Sequence, residues 1–188
     1  MGDAMVLGAV LAAGAGTRYG SPKILAHQGD WLRFAVGALL DGGCDEAVVA
    51  MGAAVVEPPP GAGVLLVRKW ASGLSATVRA VLERALATAD CAGVVLHVVD
   101  TPDVGGRAVR RVLSESRRAP SALVRAVYDD RPGHPVYLGR DHLPGVLATV
   151  HGDTGAGAYL AARGRDVVTV ECGDLATGRD IDTPLSRW

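Results

Sequence analysis

Aromatic side chains make up only 4% of the 188 residues, with a single phenylalanine, so any core must be filled by aliphatic residues and alanine. Cysteine is scarce as well. Cys44, Cys91 and Cys172 are odd in number, far apart and never in a Cys-x-x-Cys pair, which excludes a disulfide framework and suits reduced thiols. His27, His97, His134, His142 and His151 show no metal-ligand spacing, so no zinc signature is present. Basic runs are missing and the formal net charge is −1, which argues against a nucleic acid polymer as partner. No stretch approaches the length of a transmembrane helix. The first apolar run carries Asp3 where a signal peptide would carry Lys or Arg, and it ends in glycines. These absences lead us to expect a cytoplasmic protein with no membrane contact.

What is present reads as an ordinary globular chain, 49% hydrophobic and 21% charged, of a length suited to one domain spanning residues 1–188. Short β-rich runs stand at 5–11, 46–51, 64–67, 94–99, 122–128 and 166–170. Segments of helical period lie between them. In 73–88, Leu74, Val78, Val81, Leu82 and Ala85 form one stripe, with Arg79 and Glu83 outside it as an i,i+4 pair. In 104–118, Val104, Ala108, Val109, Val112 and Leu113 repeat the pattern. The alternation predicts an α/β fold with a largely parallel sheet between helical layers. The three prolines of "EPPPGAG", residues 57–63, predict a surface loop between the second and third strands.

The densest signal is "VLAAGAGTRYGSPK", residues 10–23, where Gly14, Gly16 and Gly20 follow a buried strand together with Thr17, Arg18 and Lys23. A plain turn needs one glycine and no charge. A Walker loop requires Lys directly after Gly, whereas Lys23 follows Pro22. A dinucleotide fingerprint is one residue shorter and has an acidic residue closing the second strand, whereas Glu46 opens it. The remaining phosphate reading is a longer loop whose amides, with Arg18 and Lys23, embrace a nucleoside triphosphate. The bland alternative is a glycine-rich turn with solvated cations.

That stretch resembles the Leu-Ala-Ala-Gly-x-x-x-Arg-x-Gly-x-x-Lys signature of the nucleotidyltransferases related to molybdenum cofactor guanylyl- and cytidylyltransferases. Five further segments are similar to the same family in the same order: "WASGLSATVRAVL" (70–82), "VVDTPDV" (98–104), "GHPVYLGRDHL" (133–143), "HGDTGAGAYL" (151–160) and "DIDTPLS" (180–186). The resemblance implies a Rossmann-like three-layer sandwich with a mostly parallel central sheet, of the nucleotide-diphospho-sugar transferase type. It also implies a Mg²⁺-dependent transfer of CMP from CTP to the terminal phosphate of a molybdopterin-type cofactor, with release of pyrophosphate. Transient contact with a molybdoenzyme or its chaperone would follow. Leu11-Ala12-Ala13-Gly14 and Gly73-Leu74-Ser75 side with the cytidylyl branch, since the guanylyl branch typically has Leu-Ala-Gly-Gly. GTP and sugar-phosphate acceptors stay open on the same scaffold.

The expected nucleotide-binding residues are Leu11, Ala12, Ala13, Gly14, Gly16, Thr17, Arg18, Lys23, Ser75 and Thr77, with Lys23, Arg18 and Asp100 catalytic. Asp100 follows a buried apolar run and precedes Pro102, at the sheet edge where α/β proteins bind ligands. An acceptor-only carboxylate there suits Mg²⁺, and the alternative is a turn aspartate. Asp103 has a sufficient structural task as N-cap of the helix starting near Val104. Asp182 or Asp180 would complete the metal site. Ser75 and Thr77 open a helix and would meet the base or ribose, or else Ser72 or Ser75 caps that helix. His134 and Asp153 are assigned to the acceptor side by the resemblance. Gly157 stands where the family has Arg, leaving Arg163 or Arg165 as substitutes, and Ser186 replaces the terminal Asp of the last motif. The missing arginine motivates a rival reading, a non-catalytic cofactor carrier. Lys23, Arg18 and Asp100 together argue against it, because a carrier needs no pyrophosphate clamp with a metal carboxylate.

Overall fold

Seven strands form one sheet in the computed structural model, which describes residues 4–183. They are β1 (Met5–Leu11), β2 (Glu46–Met51), β3 (Ala62–Leu66), β4 (Cys91–Val98), β5 (Leu123–Tyr128), β6 (Arg131–Gly139) and β7 (Val167–Glu171). Their order across the sheet is β3-β2-β1-β4-β6-β5-β7. The helices are α1 (Asp30–Asp41), α2 (Leu74–Ala87), α3 (Gly106–Ser116), α4 (Leu143–Thr149) and α5 (Gly157–Ala162). The expected α/β sandwich with a mostly parallel sheet is what the chain forms.

The sheet is buried on both faces, which is why its central strands read as continuous apolar runs. Val6 and Val10 of β1, with Val95 and Val99, pack under α1 and α3. Leu7 and Ala9, with Val94 and Leu96, pack under α2, α4 and α5. The scarcity of aromatics is met by valine, leucine and alanine, with Tyr128 and Tyr137 the bulkiest fully buried side chains. Cys44, Cys91 and Cys172 are free and buried.

Three details depart from the sequence expectation. β3 is an edge strand whose Val64 and Leu66 are exposed, and residues 62–63 of the expected proline loop belong to it. Arg79 does not pair with Glu83. It donates to the carbonyls of Leu147 and Val150 at 3.1 and 3.3 Å, tying α2 to the C-terminal end of α4. The third departure is β6, a strand the sequence reading lacks. It runs antiparallel to both β4 and β5, and the turn that opens it places Asp129 and Asp130 at φ +50° and +62°. Pro132 and Pro135 disguise this strand, since proline cannot donate to a ladder. They are tolerated because β4 pairs only with Val136 to Gly139, so both prolines lie beyond that border.

Candidate active site

The register brings the carboxyl ends of β1 and β4 together. Leu11 pairs with Ala50 of β2 on one side and with Val98 of β4 on the other, all in parallel. Successive connections leave β1 toward β2 and β3, then return to β4 on its opposite side. Such a reversal of strand order opens a crevice beyond the strand ends, the usual ligand position in open α/β sheets. The glycine loop enters it from β1, and Asp100, just past the end of β4, meets that loop through Lys23 without lining the crevice itself.

Gly16 forces the loop to fold back. Its φ is +62°, and a Cβ there would lie 2.0 Å from the Ser21 carbonyl oxygen. The Gly20 amide closes the turn on the Gly16 carbonyl at 2.8 Å. Gly14 differs, because a Cβ there would meet nothing within 4 Å and would project into open space. The loop borders a cleft of about 530 Å³, lined by Gly14 to Tyr19, Lys23, Trp70, Ala71, Gly73, Leu74, Thr77, Asp153 and Asp182.

At the cleft's inner end the Lys23 ammonium donates to Asp100 Oδ2 at 2.7 Å and to Asp182 Oδ1 at 2.8 Å. Lys23 is only 14% exposed, so it is no solvated loop cation. Burial opposes its charge, yet the hydrogen bonds and charges of Asp100 and Asp182 outweigh burial and raise its pKa. The same contact, with the Lys23 charge, holds the Asp182 carboxyl below its ordinary range. Arg18 reaches Asp182 at 3.4 Å from an exposed position. Asp180 behaves oppositely: although its surface is exposed, partial desolvation and then the charges of Asp100 and Asp182 raise its carboxyl. Asp182 therefore shares a cation with Asp100, and Asp180 stands beside them.

The last segment is held in place at two points of the turn that follows β4. The Ile181 amide donates to the Asp100 carbonyl at 3.0 Å. Asp103 accepts from the Thr177 amide and hydroxyl, both at 2.7 Å. Asp103 is thus not a helix cap: α3 begins at Gly106 behind Gly105, without a side-chain cap. Ser186, replacing the family's terminal Asp, lies outside the described residues.

The helix α2 likewise starts without a side-chain cap, so neither Ser72 nor Ser75 takes that task. Gly73 abuts the 151–155 loop, and the Ser75 amide donates to the Gly152 carbonyl at 3.0 Å. Thr77 lines the cleft, whereas Ser75 borders a separate groove with Ser72 and Arg79. Leu11, Ala12 and Ala13 sit behind the cleft, the Ala12 amide bound to the Ala50 carbonyl and the Ala13 carbonyl to the Ala53 amide. Asp153 lies on the glycine-loop cleft beside Gly73 and Leu74. His134 borders neither that cleft nor the hollow beyond Asp182. Part of its surface reaches solvent, but burial and the Arg125 charge hold its pKa down to about 4, so its ring is neutral at physiological pH. Arg163 lies over the Tyr159 ring, 5.4 Å from its centroid, and neither it nor Arg165 lines the cleft. Trp70 and Tyr19 also line it, each inside a family-like segment but with no role expected of it, and Leu74 lines it beside Gly73.

Among the described residues no three His, Cys, Asp or Glu side chains form a ready metal cage. Two carboxylates sharing one cation still fit Mg²⁺ or Mn²⁺, which take one or two carboxylates and complete their shell with phosphate oxygens and water.

Comparisons with known proteins agree with this fold. Residues 8–167 match the model of the MobA-like NTP transferase domain. The chain is 33% identical to nicotine blue oxidoreductase of Paenarthrobacter nicotinovorans, over 97% of this chain and 96% of that protein. It superposes on Rv0371c of Mycobacterium tuberculosis H37Rv with a TM-score of 0.72 at 26% identity, covering 97% of this chain and 95% of that one. Rv0371c has also been solved as a complex with manganese. The fold is shared with 2-C-methyl-D-erythritol 4-phosphate cytidylyltransferase of Thermus thermophilus, with a TM-score of 0.67 and 22% identity over 97% of this chain and 94% of that one. Matched by that family model over residues 8–167 and 33% identical to a relative covered almost throughout, the chain belongs to the MobA-like NTP transferase family.

Proposed function

We propose that this protein is a cytoplasmic nucleotidyltransferase, one domain over residues 1–188, that transfers CMP from CTP to the terminal phosphate of a molybdopterin-type cofactor. The carrying observation is the Lys23 ammonium shared by Asp100 and Asp182 at the inner end of the glycine-loop cleft. In this reading the loop amides and Arg18 hold the β- and γ-phosphates. Asp100 and Asp182 would hold Mg²⁺, with Asp180 beside them, and Lys23 would face the triphosphate. A divalent ion bound there would draw charge from the α-phosphate. The acceptor phosphate is already ionised, so no strong base is required, and rate comes from positioning and charge neutralisation. Thr77 and the start of α2 face the nucleoside, and the Leu11-Ala12-Ala13-Gly14 and Gly73-Leu74-Ser75 patterns favour cytosine. GTP and sugar-phosphate acceptors are the alternatives on this scaffold.

Pyrophosphate release from each nucleoside triphosphate, with and without the cofactor acceptor, tests the proposal, with Asp100→Asn as control. CTP and acceptor together should give the fastest release. Asp100→Asn should keep the fold and lose about 100-fold in turnover, the scale of one well-placed electrostatic contact. Equal release without acceptor, or an active Asp100→Asn protein with an unchanged metal requirement, would remove the mechanism. The oxidoreductase name of one relative motivates a second reading, redox turnover of a small molecule. Redox turnover with no pyrophosphate release would favour it.

A further inference from the structure

Beyond Asp182 the same sheet edge opens a second hollow of about 380 Å³, whose lining includes Tyr128, Arg131, Thr177, Arg179, Asp180 and Asp182. Asp182 lines both this hollow and the glycine-loop cleft. The hollow has rigid walls. Gly178 lies flat on the Tyr128 ring, where φ is +61° and a Cβ would come 2.2 Å from Tyr128 Cδ2. The Tyr128 hydroxyl donates to the His134 carbonyl at 2.6 Å, and the Thr177 hydroxyl donates to Asp103. Both hydroxyls are therefore committed, which leaves the two guanidiniums as the donors facing the space. Arg131 has only a 3.9 Å pairing with Asp129 at the exposed surface, an interaction of little strength. Arg179 makes no ion pair among the described residues.

We propose that this hollow is the acceptor subsite and that Arg131 and Arg179 hold the phosphate monoester of the acceptor beside Asp182. The assignment rests on the nucleotidyltransferase reading. Guanidinium forks bind phosphate oxygens in pairs, and two packed elements bring the arginines to the hollow. Arg131 opens β6, three residues past Tyr128, on whose ring Gly178 rests. The segment bound to Asp100 and Asp103 carries Arg179. Cations from these two places supply what Gly157 lacks.

With nucleotide on one side of Asp182 and the acceptor on the other, an acceptor phosphate oxygen forms a bond to the α-phosphorus. The bond from that phosphorus to the β-bridging oxygen breaks, and its electron pair leaves with pyrophosphate. The acceptor enters as a dianion, so no proton must be removed. Asp180 and Asp182 offset the two arginines, so the extra positive charge for a dianion would come from Lys23 and from a divalent ion held by Asp100 and Asp182.

Methyl phosphate is a sufficient probe of the subsite. Its binding is read by ³¹P line width and shift, with Mg²⁺ and the α,β-methylene analogue of CTP present and again without nucleotide. Wild type, Arg131→Gln, Arg179→Gln and the double variant are compared, with calorimetric binding of the CTP analogue measured on each. Both arginines are exposed, so melting temperatures should agree among the four proteins. Each single variant should bind methyl phosphate about tenfold more weakly, as for one lost charge-assisted contact, while affinity for the CTP analogue stays within about twofold. Methyl phosphate binding that survives the double substitution, or is missing in wild type, would overturn the subsite. So would a parallel loss of nucleotide affinity, which would put the arginines on the triphosphate. Wild type that binds methyl phosphate through the arginines but no nucleoside triphosphate would instead count against the nucleotidyltransferase reading.

Discussion

Lys23 places one ammonium between two carboxylates, so its substitution tests charge balance as well as nucleotide binding. A solvated loop lysine would be replaced without effect on stability. Here Lys23→Ala leaves Asp100 and Asp182 facing each other with no cation between them, and like charges at such range disfavour ionisation of both. The expected outcome is a melting temperature a few degrees below wild type in chelator, recovered by Mg²⁺ or Mn²⁺, with nucleotide affinity reduced whether metal is added or not. Thermal scans with and without metal, and calorimetry with CTP, check this. The two loop glycines make a second test. Gly14→Ala points a methyl into open space, so its melting temperature should stay near wild type while nucleotide affinity falls. Gly16→Ala must strain a left-handed backbone and meet the Ser21 carbonyl. It should lose about 1 kcal/mol or more of stability as well as affinity. Chemical denaturation beside the same titrations separates the two. Equal effects at both positions would mean that Gly14 is there for the loop and not for a ligand.

At the scale of elements, β4 carries Asp100 to the sheet edge and also buries His97, whose ring nitrogens have no hydrogen-bond partner among the described residues. Burial above all, with repulsion from His134 once that ring protonates below about pH 4, holds the His97 pKa down to about 3. In the unfolded chain it would titrate near ~6.5. Between these values the unfolded state binds a proton that the native state refuses, so His97 costs stability as pH falls from about 6.5 toward 3 and costs nothing of this kind above that window. His97→Leu keeps an apolar side chain in the strand and removes the titration. Its denaturation free energy should fall less steeply with acid than that of wild type, and should be nearly unchanged at pH 8. Equal slopes from pH 4 to 8 would show that His97 titrates in the fold as it does in the unfolded chain. The elements also show what could be read in advance. β1 and β2 were legible to the residue because burial on both faces leaves an unbroken apolar run. β6 was not legible, because Pro132 and Pro135 argue against a strand, and their tolerance depends on where β4 stops pairing. Asp103 looked like a cap because a helical stripe follows it, but its carboxylate is claimed by Thr177, 74 residues away.

On the scale of the whole molecule, the site joins the loop after β1, the turn after β4 and the segment around Asp182, so a ligand there stabilises the sheet edge as one unit. A ligand at about 100 times its Kd adds ~2.7 kcal/mol, and each kcal/mol is worth about 2–4 °C in a chain of this size. Mg²⁺ with CTP at that excess should raise the melting temperature by roughly 5–10 °C. Asp182→Asn should lose most of that rise while its ligand-free melting temperature changes little, since the Asp182 side chain is 48% exposed. Differential scanning calorimetry decides it. The local order of residues by itself determined the alternation of strand and helix, the phosphate-type loop, and the place of Asp100 beyond a buried strand, because each depends on neighbours within a few residues. Tertiary structure alone decided that Lys23 pairs with Asp182 across 159 positions, that Ser75 borders a separate groove while Thr77 lines the cleft, and that Arg131 and Arg179 share a hollow. Those contacts arise from strand register and from segments pinned across the sheet edge, and no periodicity along the chain encodes the distance between residues so far apart.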